Sequence, residues 1–178
     1  MNTMYLDSSN YEIQQYNCDR PGEGQLIFVG KNYCIGSQTI PIRVVGDLKN
    51  VEVINVNDQY DYTGKQIKPT PIVQFGSQVL EEGEDYTIEY GNNVDVGTNS
   101  GSIVIRQVSG TDTYYTGSKT ARFNIYYNLS KATVTGLNDT YSYTGSEVKP
   151  IPQVTCAGKV LQEGVDYSLT YTNNIDAG

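Results

Sequence analysis

Short segments in which apolar and polar residues alternate recur along the chain and predict β-strands. Residues 86–90 and 122–125 alternate with the period of two expected of a strand with one buried face. Residues 103–105 form a denser apolar run, as in an inner strand, and the valines within 51–56 mark an opening strand. No stretch of twelve or more residues has a helical period. The pattern therefore predicts an all-β fold.

Glycines and prolines mark the connections between these segments. Gly64 and Gly145 stand where a tight turn can use a positive φ angle. The sequence Glu-Gly-Glu-Asp-Tyr at 82–86 predicts a hairpin connection. Pro69 and Pro71 predict that the strand after them lies at a sheet edge or has a bulged start, because proline cannot donate to a ladder.

An internal repeat is the strongest signal in the sequence. Residues 58–97 recur at 139–178 without a gap, at an offset of 81 residues, and 20 of the 40 aligned positions are identical. A period near 80 residues suits one sandwich domain of the immunoglobulin type and is too long for a helical solenoid. The predicted fold class is all-β, with tandem immunoglobulin-like β-sandwich repeats of about 81 residues.

The repeat extends towards the start of the chain. Residues 33–39 align with 114–120 at the same offset, and residues 10–13 resemble 85–88, with loops of different length between. The alignment divides the chain into three parts. We expect residues 1–45 to be the second half of a repeat or a small β domain, 46–126 a complete repeat, and 127–178 the first half of a further repeat.

Charge and composition exclude several classes of partner. The 178 residues include 20 acidic and 12 basic residues, a formal net charge of −8. Nucleic acids and anionic lipids bind clustered lysine and arginine, so neither partner is expected. Uninterrupted apolar runs reach only four residues, as at 26–29, so we expect no membrane insertion.

The residue types also argue against catalysis. The chain has no histidine, which removes imidazole-based general bases, catalytic triads and imidazole metal sites. Paired carboxylates can still hydrolyse glycosides, but the acidic residues at 81–85 are only partly kept in the copy, and we interpret them as a solvated turn. Cys18, Cys34 and Cys156 cannot all pair within the chain, and we interpret each as a small core or strand residue. We expect no enzyme activity and no cofactor.

Three weaker patterns suggest other chemistry. The Asn-Asn-x-Asp-x-Gly sequence at 92–97 offers one carboxylate where a calcium loop needs several oxygen ligands, so we interpret it as a turn. The 16 tyrosines are interpreted as core residues with hydroxyls at the rim, and the alternative is a glycan-stacking platform. Lys–Asn isopeptide bonds, which some Gram-positive surface sandwiches carry, are a further hypothesis for four repeated residues: Lys68, Asn92, Lys149 and Asn173.

Several strings in the repeat resemble a known family. They are Tyr-Thr-Gly-Lys-Gln-Ile-Lys-Pro at 62–69, Gly-Glu-Asp-Tyr at 83–86, Tyr-Gly-Asn-Asn at 90–93, and Thr-Ala-Arg-Phe-Asn-Ile at 120–125. They are similar to the bacterial immunoglobulin-like (Big-type) repeats in large surface proteins of Firmicutes. The resemblance implies a β-sandwich stalk or adhesion module and carries over no catalytic residues.

The expected function is that of a non-catalytic structural or adhesive module, located extracellularly on a bacterial surface. Residues 1–7 show neither a basic nor an apolar signal region. This suits either a piece of a larger surface protein or, alternatively, a phage decoration or head-fibre protein on the virion surface. A third alternative is an accessory domain of a secreted glycan-active enzyme. The expected partners are a protein or glycan surface, and neighbouring copies joined head to tail by strand donation between half-repeats.

Overall fold

The structure, a computed structural model, describes residues 6–110 and 113–176. This part of the chain is all-β and sandwich-like, as the alternating pattern predicts, and its helical segments are three-residue 3-10 helices at Ser8–Asn10, Leu48–Asn50 and Leu129–Lys131. No helix among the described residues is long and apolar enough to cross a membrane.

The first sheet is an antiparallel meander near the start of the chain. It contains β1 (Tyr11–Tyr16), β2 (Gly22–Gly30) and β3 (Ser37–Val44), in the order β1-β2-β3. Its strands are mostly half-buried or exposed, and Gly24 is fully buried. This sheet therefore has no sealed core of its own.

Two larger sheets follow, built from the central part of the chain. Residues of β4 (Gly46–Asp47) pair in parallel with β11 (Tyr115–Thr116). One antiparallel sheet has the order β5-β7-β8, with β5 at Glu52–Ile54, β7 at Ile72–Phe75 and β8 at Gln78–Val79. The other has the order β6-β12-β10-β9, with β6 at Gln59–Asp61, β9 at Tyr86–Tyr90, β10 at Gly97–Gln107 and β12 at Ser118–Tyr126. The predicted inner strand at 103–105 lies in β10, inside this sheet.

The last sheet has the order β13-β14-β15 and repeats the pattern of β5-β7-β8. Its strands are β13 (Thr133–Thr135), β14 (Gln153–Cys156) and β15 (Lys159–Val160). Glu52 lies opposite Gln74 in the earlier sheet, and Thr133 lies opposite Thr155 here, each 81 positions later. Val154, Cys156 and Leu161 form its small buried core.

Long-range hydrogen bonds recur at the same offset. The Tyr90 hydroxyl donates to the Pro69 carbonyl at 2.9 Å, and the Tyr171 hydroxyl donates to the Pro150 carbonyl at 2.7 Å. The remaining pairs are Leu80 to Val73 and Leu161 to Val154, Gly83 to Tyr86 and Gly164 to Tyr167, and Ile67 to Asn93 and Val148 to Asn174, all from backbone N–H to carbonyl. Equivalent residues of the two segments therefore have equivalent partners.

The chain separates into two compact units. One contains the chain up to Asn55, Pro71–Glu89 and Val104–Thr120, and the other contains Val56–Thr70, Tyr90–Ile103 and the chain from Ala121 onward. In the first unit Leu48, Val73, Ile105 and Tyr115 are almost fully buried, and in the second Asn93, Ile103, Phe123 and Ile125 are. The division into 1–45, 46–126 and 127–178 stays a prediction.

Some expected local features differ in the structure. The 82–86 segment is not a hairpin, because it joins β8 to β9, which lie in different sheets, and a parallel bridge from Glu82 to Tyr86 turns the chain between them. Pro69 and Pro71 do not mark an edge strand. They precede the inner strand β7, where the ladder does not need their missing N–H groups. The positive φ angles of Gly64 (71°) and Gly145 (69°) confirm the predicted turns.

Candidate functional site

A cleft of about 800 Å³ opens in the first unit. One wall is the turn between β1 and β2, another is the β7–β8 turn, and Tyr114 stands beside them. The lining residues are Asn17, Asp19–Glu23, Phe75–Gln78 and Tyr114. Its volume falls within the range of ordinary small-molecule sites.

The cleft exists because its turns use unusual backbone geometry and a glycine at a close approach. Asn17 and Gly76 have positive φ angles of 53° and 60°, which asparagine and glycine tolerate. A Cβ atom on Gly46 would lie 2.9 Å from Pro21 Cγ and 3.1 Å from Phe75 Cε2. Glycine at position 46 thus lets the two walls come together.

The Tyr114 side chain is held in a defined orientation. Its hydroxyl donates to Glu23 Oε1 at 2.9 Å, and the Arg43 guanidinium lies 5.8 Å from its ring centroid. A cation near an aromatic face and a charge-assisted hydrogen bond each restrict rotation of the ring. The cleft therefore presents an oriented aromatic ring next to a carboxylate.

The chemistry of the lining suits a ligand rich in hydroxyl groups. Asp19 and Glu23 accept hydrogen bonds, Arg20 donates, and Gln78 does both. Aromatic rings bind the apolar faces of sugars while polar neighbours bind their hydroxyls. The cleft thus offers one of the tyrosines as a binding surface, whereas Tyr86 and Tyr115 are buried core residues.

The four residues of the isopeptide hypothesis each have another setting. Lys68 Nζ lies 5.5 Å from the centroid of the Tyr90 ring, and Asn92 Nδ2 donates to Asp95 Oδ2 at 2.6 Å. Lys149 forms an ion pair with Glu147, and Asn173 is exposed with a φ angle of 53°. The hypothesis stays a prediction that an intact-mass measurement tests, since each bond releases one ammonia molecule.

The acidic turn at 81–85 has a structural role for one of its carboxylates. Asp85 Oδ2 accepts the backbone N–H of Glu81 at 2.9 Å, and in the copy Asp166 Oδ2 accepts that of Gln162 at 2.8 Å. Within the described residues no group of three or more acidic or cysteine side chains is placed to hold a metal ion.

The cysteine expectation is right for one residue and wrong for two. Cys156 is buried in β14, as predicted, whereas Cys18 and Cys34 are half-buried and lie outside the strands. All three are free thiols. Cys18 follows β1 and donates through Sγ to the Gln25 carbonyl at 3.6 Å, so it closes a turn rather than filling a core.

A polar cluster fixes the start of the last segment. The Asp61 carboxylate accepts hydrogen bonds from Lys131 Nζ at 2.6 Å and from Asn128 Nδ2 at 3.1 Å. The bond from Lys131 holds the pKa of Asp61 below its ordinary value, and the Asn128 amide adds to this. The same bond raises the pKa of Lys131. We call Asp61, Asn128 and Lys131 the boundary cluster.

Sequence reasoning identified neither the cleft nor the boundary cluster. Comparisons with protein-family models, with curated proteins and with solved structures found no match to this chain. The functional argument therefore depends on the geometry of the chain itself.

Proposed function

We propose that this chain is a non-catalytic structural module, built from tandem immunoglobulin-like repeats of about 81 residues and displayed on a bacterial surface. The observation that carries this proposal is the recurrence of one hydrogen-bond framework at a fixed offset. The Asn93 side-chain amide donates to the Ile67 carbonyl at 3.0 Å, and that of Asn174 donates to Val148 at 3.0 Å. Arrays of such repeats act as spacers whose length grows with repeat number.

The boundary cluster supports a stiff connection between successive repeats. Asp61 belongs to the central repeat, and Asn128 and Lys131 belong to the start of the next. Since three polar groups meet across the junction, the following repeat begins in a defined position instead of after a free linker. A stalk that holds another domain away from a cell needs this property.

The cleft supports a binding role for the same module. Its oriented Tyr114 ring, its carboxylates and its amide suit a carbohydrate, the most abundant hydroxyl-rich ligand at cell surfaces. Glycan-array binding by the 178-residue chain tests this role. Tyr114→Ala should abolish binding, whereas Tyr33→Ala is the matched control, because Tyr33 is the aligned tyrosine of the first segment, is 97% exposed and lies outside the cleft.

Antibody labelling tests where the module is displayed. Antibodies raised against the chain should label intact cells of the organism that encodes it, and brief protease treatment of those cells should remove the signal. Labelling only after lysis would overturn surface display. Labelling of purified virus particles instead of cells would overturn the cell-surface proposal in favour of a virion component.

A further inference from the structure

The sheet β1-β2-β3 matches part of the sheet β6-β12-β10-β9 strand for strand. The sequence aligns β3 with β12 at an offset of 81. Gly24 lies opposite Ile42 in β2 and β3, and Gly101 contacts the ring of Phe123 in β10 and β12. Aligning Gly24 with Gly101 gives an offset of 77 (101 − 24 = 77) and places Leu26 and Phe28 on Ile103 and Ile105.

The first strand fits the same scheme. Tyr11 lies opposite Gly30, and Gly91 N–H donates to the Ser102 carbonyl at 3.0 Å. With β2 aligned on β10, this pairing places Tyr11 on Tyr86, the alignment that residues 10–13 and 85–88 show in sequence. Cys18 Sγ donates to Gln25, just as Asn93 Nδ2 donates to Ser102 at 3.0 Å. Residues 11–44 are thus the structural counterpart of residues 86–125.

The inner face of this sheet is uncovered, although its counterpart is sealed. Ile103, Ile105, Phe123 and Ile125 are each at most 1% exposed. Their four counterparts are only half-buried: Leu26, Phe28, Ile42 and Val44. One half of a sandwich therefore presents an apolar face to solvent at the start of the chain.

The last segment presents the opposite half. Leu129 is 48% exposed, whereas its counterpart Leu48 is 0% exposed. A cavity of about 400 Å³ is lined by residues that include Tyr141, Tyr143 and Tyr171. In the complete repeat Tyr60, the counterpart of Tyr141, packs edge-on against Phe123 at 4.8 Å between ring centroids. Residues 127–176 thus expose the surface that strands like β2 and β3 would cover.

We propose that residues 127–176 of one copy dock on the β2–β3 hairpin of a second copy, so that a sandwich repeat is completed and copies join head to tail. This inference rests on the repeat architecture of the proposed function. Because the patch at one end binds a different patch at the other, the contact is heterologous and is not limited to two copies.

The complete repeat fixes the register of the joint. β6 and β12 pair in parallel, with Tyr60 opposite Ile125. The counterpart of this pair is Tyr141 of one copy opposite Val44 of the next. The outer edge of β3 carries no strand within the described chain, since β3 pairs with β2 alone, so its backbone groups are free to form this ladder.

Charge at the joint favours a second copy as the occupant. In the complete repeat Asn124 N–H donates to the Asp58 carbonyl at 2.9 Å. The counterparts of these two residues are Arg43 and Asp139, so the joined strands bring a cation beside an anion where the complete repeat has a neutral side chain. Every copy carries both halves of this pair.

One position in the joined sheet has two candidate occupants. Residues 167–171 are the counterpart of β9 and lie outside any ladder, although Asn174 already binds Val148 as Asn93 binds Ile67. β1 is the other counterpart, and four of its six residues are exposed. We assign the position to residues 167–171 of the docking copy, which displace β1 and bring Asn174 to Gln25.

Disulfide trapping between differently tagged chains tests the joint. All chains carry Cys18→Ser, Cys34→Ser and Cys156→Ala, and circular dichroism first verifies that this background retains its strand content. A Val44→Cys chain and a Tyr141→Cys chain are then refolded together from urea and oxidised. We expect the mixed dimer to be the main disulfide product, since directly opposed strand residues meet the geometry of a disulfide. Tyr143→Cys, two residues out of register, is the matched control and should give several-fold less.

Three results would overturn the proposal. They are a mixed-dimer yield equal to that of the Tyr143→Cys control, a disulfide formed within one chain when both cysteines are placed together, and a wild-type chain that sediments as a monomer at every concentration. Val44→Glu should convert assemblies to monomers without loss of strand content. In the trapped dimer the amides of β1 should lose protection from hydrogen exchange in the copy that supplies Val44, and retained protection would contradict the strand exchange. Cell-surface labelling does not depend on the joint, so the two proposals fail separately.

Discussion

Replacing Asn93 with alanine should be far more destabilising than replacing its repeat counterpart Asn174. Asn93 is the buried polar side chain of the second unit, at 0% exposure. Its amide donates to the carbonyls of Ile67 and Ser102, each at 3.0 Å, and its Oδ1 accepts the Ser102 N–H at 2.7 Å. Asn174 is half-buried and donates one such bond, to Val148.

The expected difference follows from these bonds and from the backbone. Each lost hydrogen bond costs about 1 kcal/mol when its buried partner is left unsatisfied. Asn93 also has a φ angle of 49°, where alanine costs roughly 1 kcal/mol more than asparagine. Asn93→Ala should therefore lower the free energy of unfolding by about 4 kcal/mol, and Asn174→Ala by about 1 kcal/mol.

Urea unfolding followed by circular dichroism, with hydrogen exchange read on separate peptides, measures both effects. Peptides covering 86–105 should lose protection in Asn93→Ala and keep it in Asn174→Ala. The measurement is made at low protein concentration, so that association between copies does not contribute. Equal losses in the two variants, or a loss below about 1 kcal/mol for Asn93→Ala, would refute the assignment of three buried bonds to this side chain.

Three further variants test other parts of the packing. Tyr115→Phe should raise stability by about 1 kcal/mol, because the buried Tyr115 hydroxyl has no partner among the described residues, whereas Tyr90→Phe should lower it by a similar amount through loss of a bond to a carbonyl; thermal unfolding of the two variants reverses this order if the reasoning fails. Gly101→Ala should cost about 3 kcal/mol or more, since its Cβ would overlap the Phe123 ring, and adding Phe123→Ile should recover part of the loss in the same urea assay; no recovery would contradict the clash. Because the pKa of Asp61 is lowered in the folded state, its contribution is complete above the ordinary value of 3.8 and is lost as pH falls below it; the stability gap between wild type and Asp61→Asn should therefore narrow in acid, and a gap independent of pH would exclude the ion pair.

The strands of the repeated segment could be predicted from the sequence because two signals coincide there. Residues 86–90 alternate strictly, and the copy at 167–171 repeats the alternation. The hairpin expected at 82–86 was wrong because turn residues specify a reversal of the chain but not which sheet the next strand joins. That choice depends on contacts between residues distant in sequence, such as the bridge from Glu82 to Tyr86.

β2 and the cleft were harder to predict. β2 shares the sequence Gly-x-Leu-x-Phe with the Gly-x-Ile-x-Ile of β10, a signal that emerges only at an offset of 77 because the connecting loops differ in length. The cleft is built from turns at 17–23 and 75–78, which no local pattern relates to each other. Side chains from separate turns meet only once the sheets have paired.

Hydrogen-bond scalar couplings measured by NMR on the full chain test the repeat framework most directly. The account predicts a coupling between the Ile67 amide and the Asn93 carbonyl, and an equivalent one between Val148 and Asn174, since both N–H groups lie 2.9 Å from their acceptors. Detection of the first coupling without the second, or of neither, would contradict a common framework for the two segments.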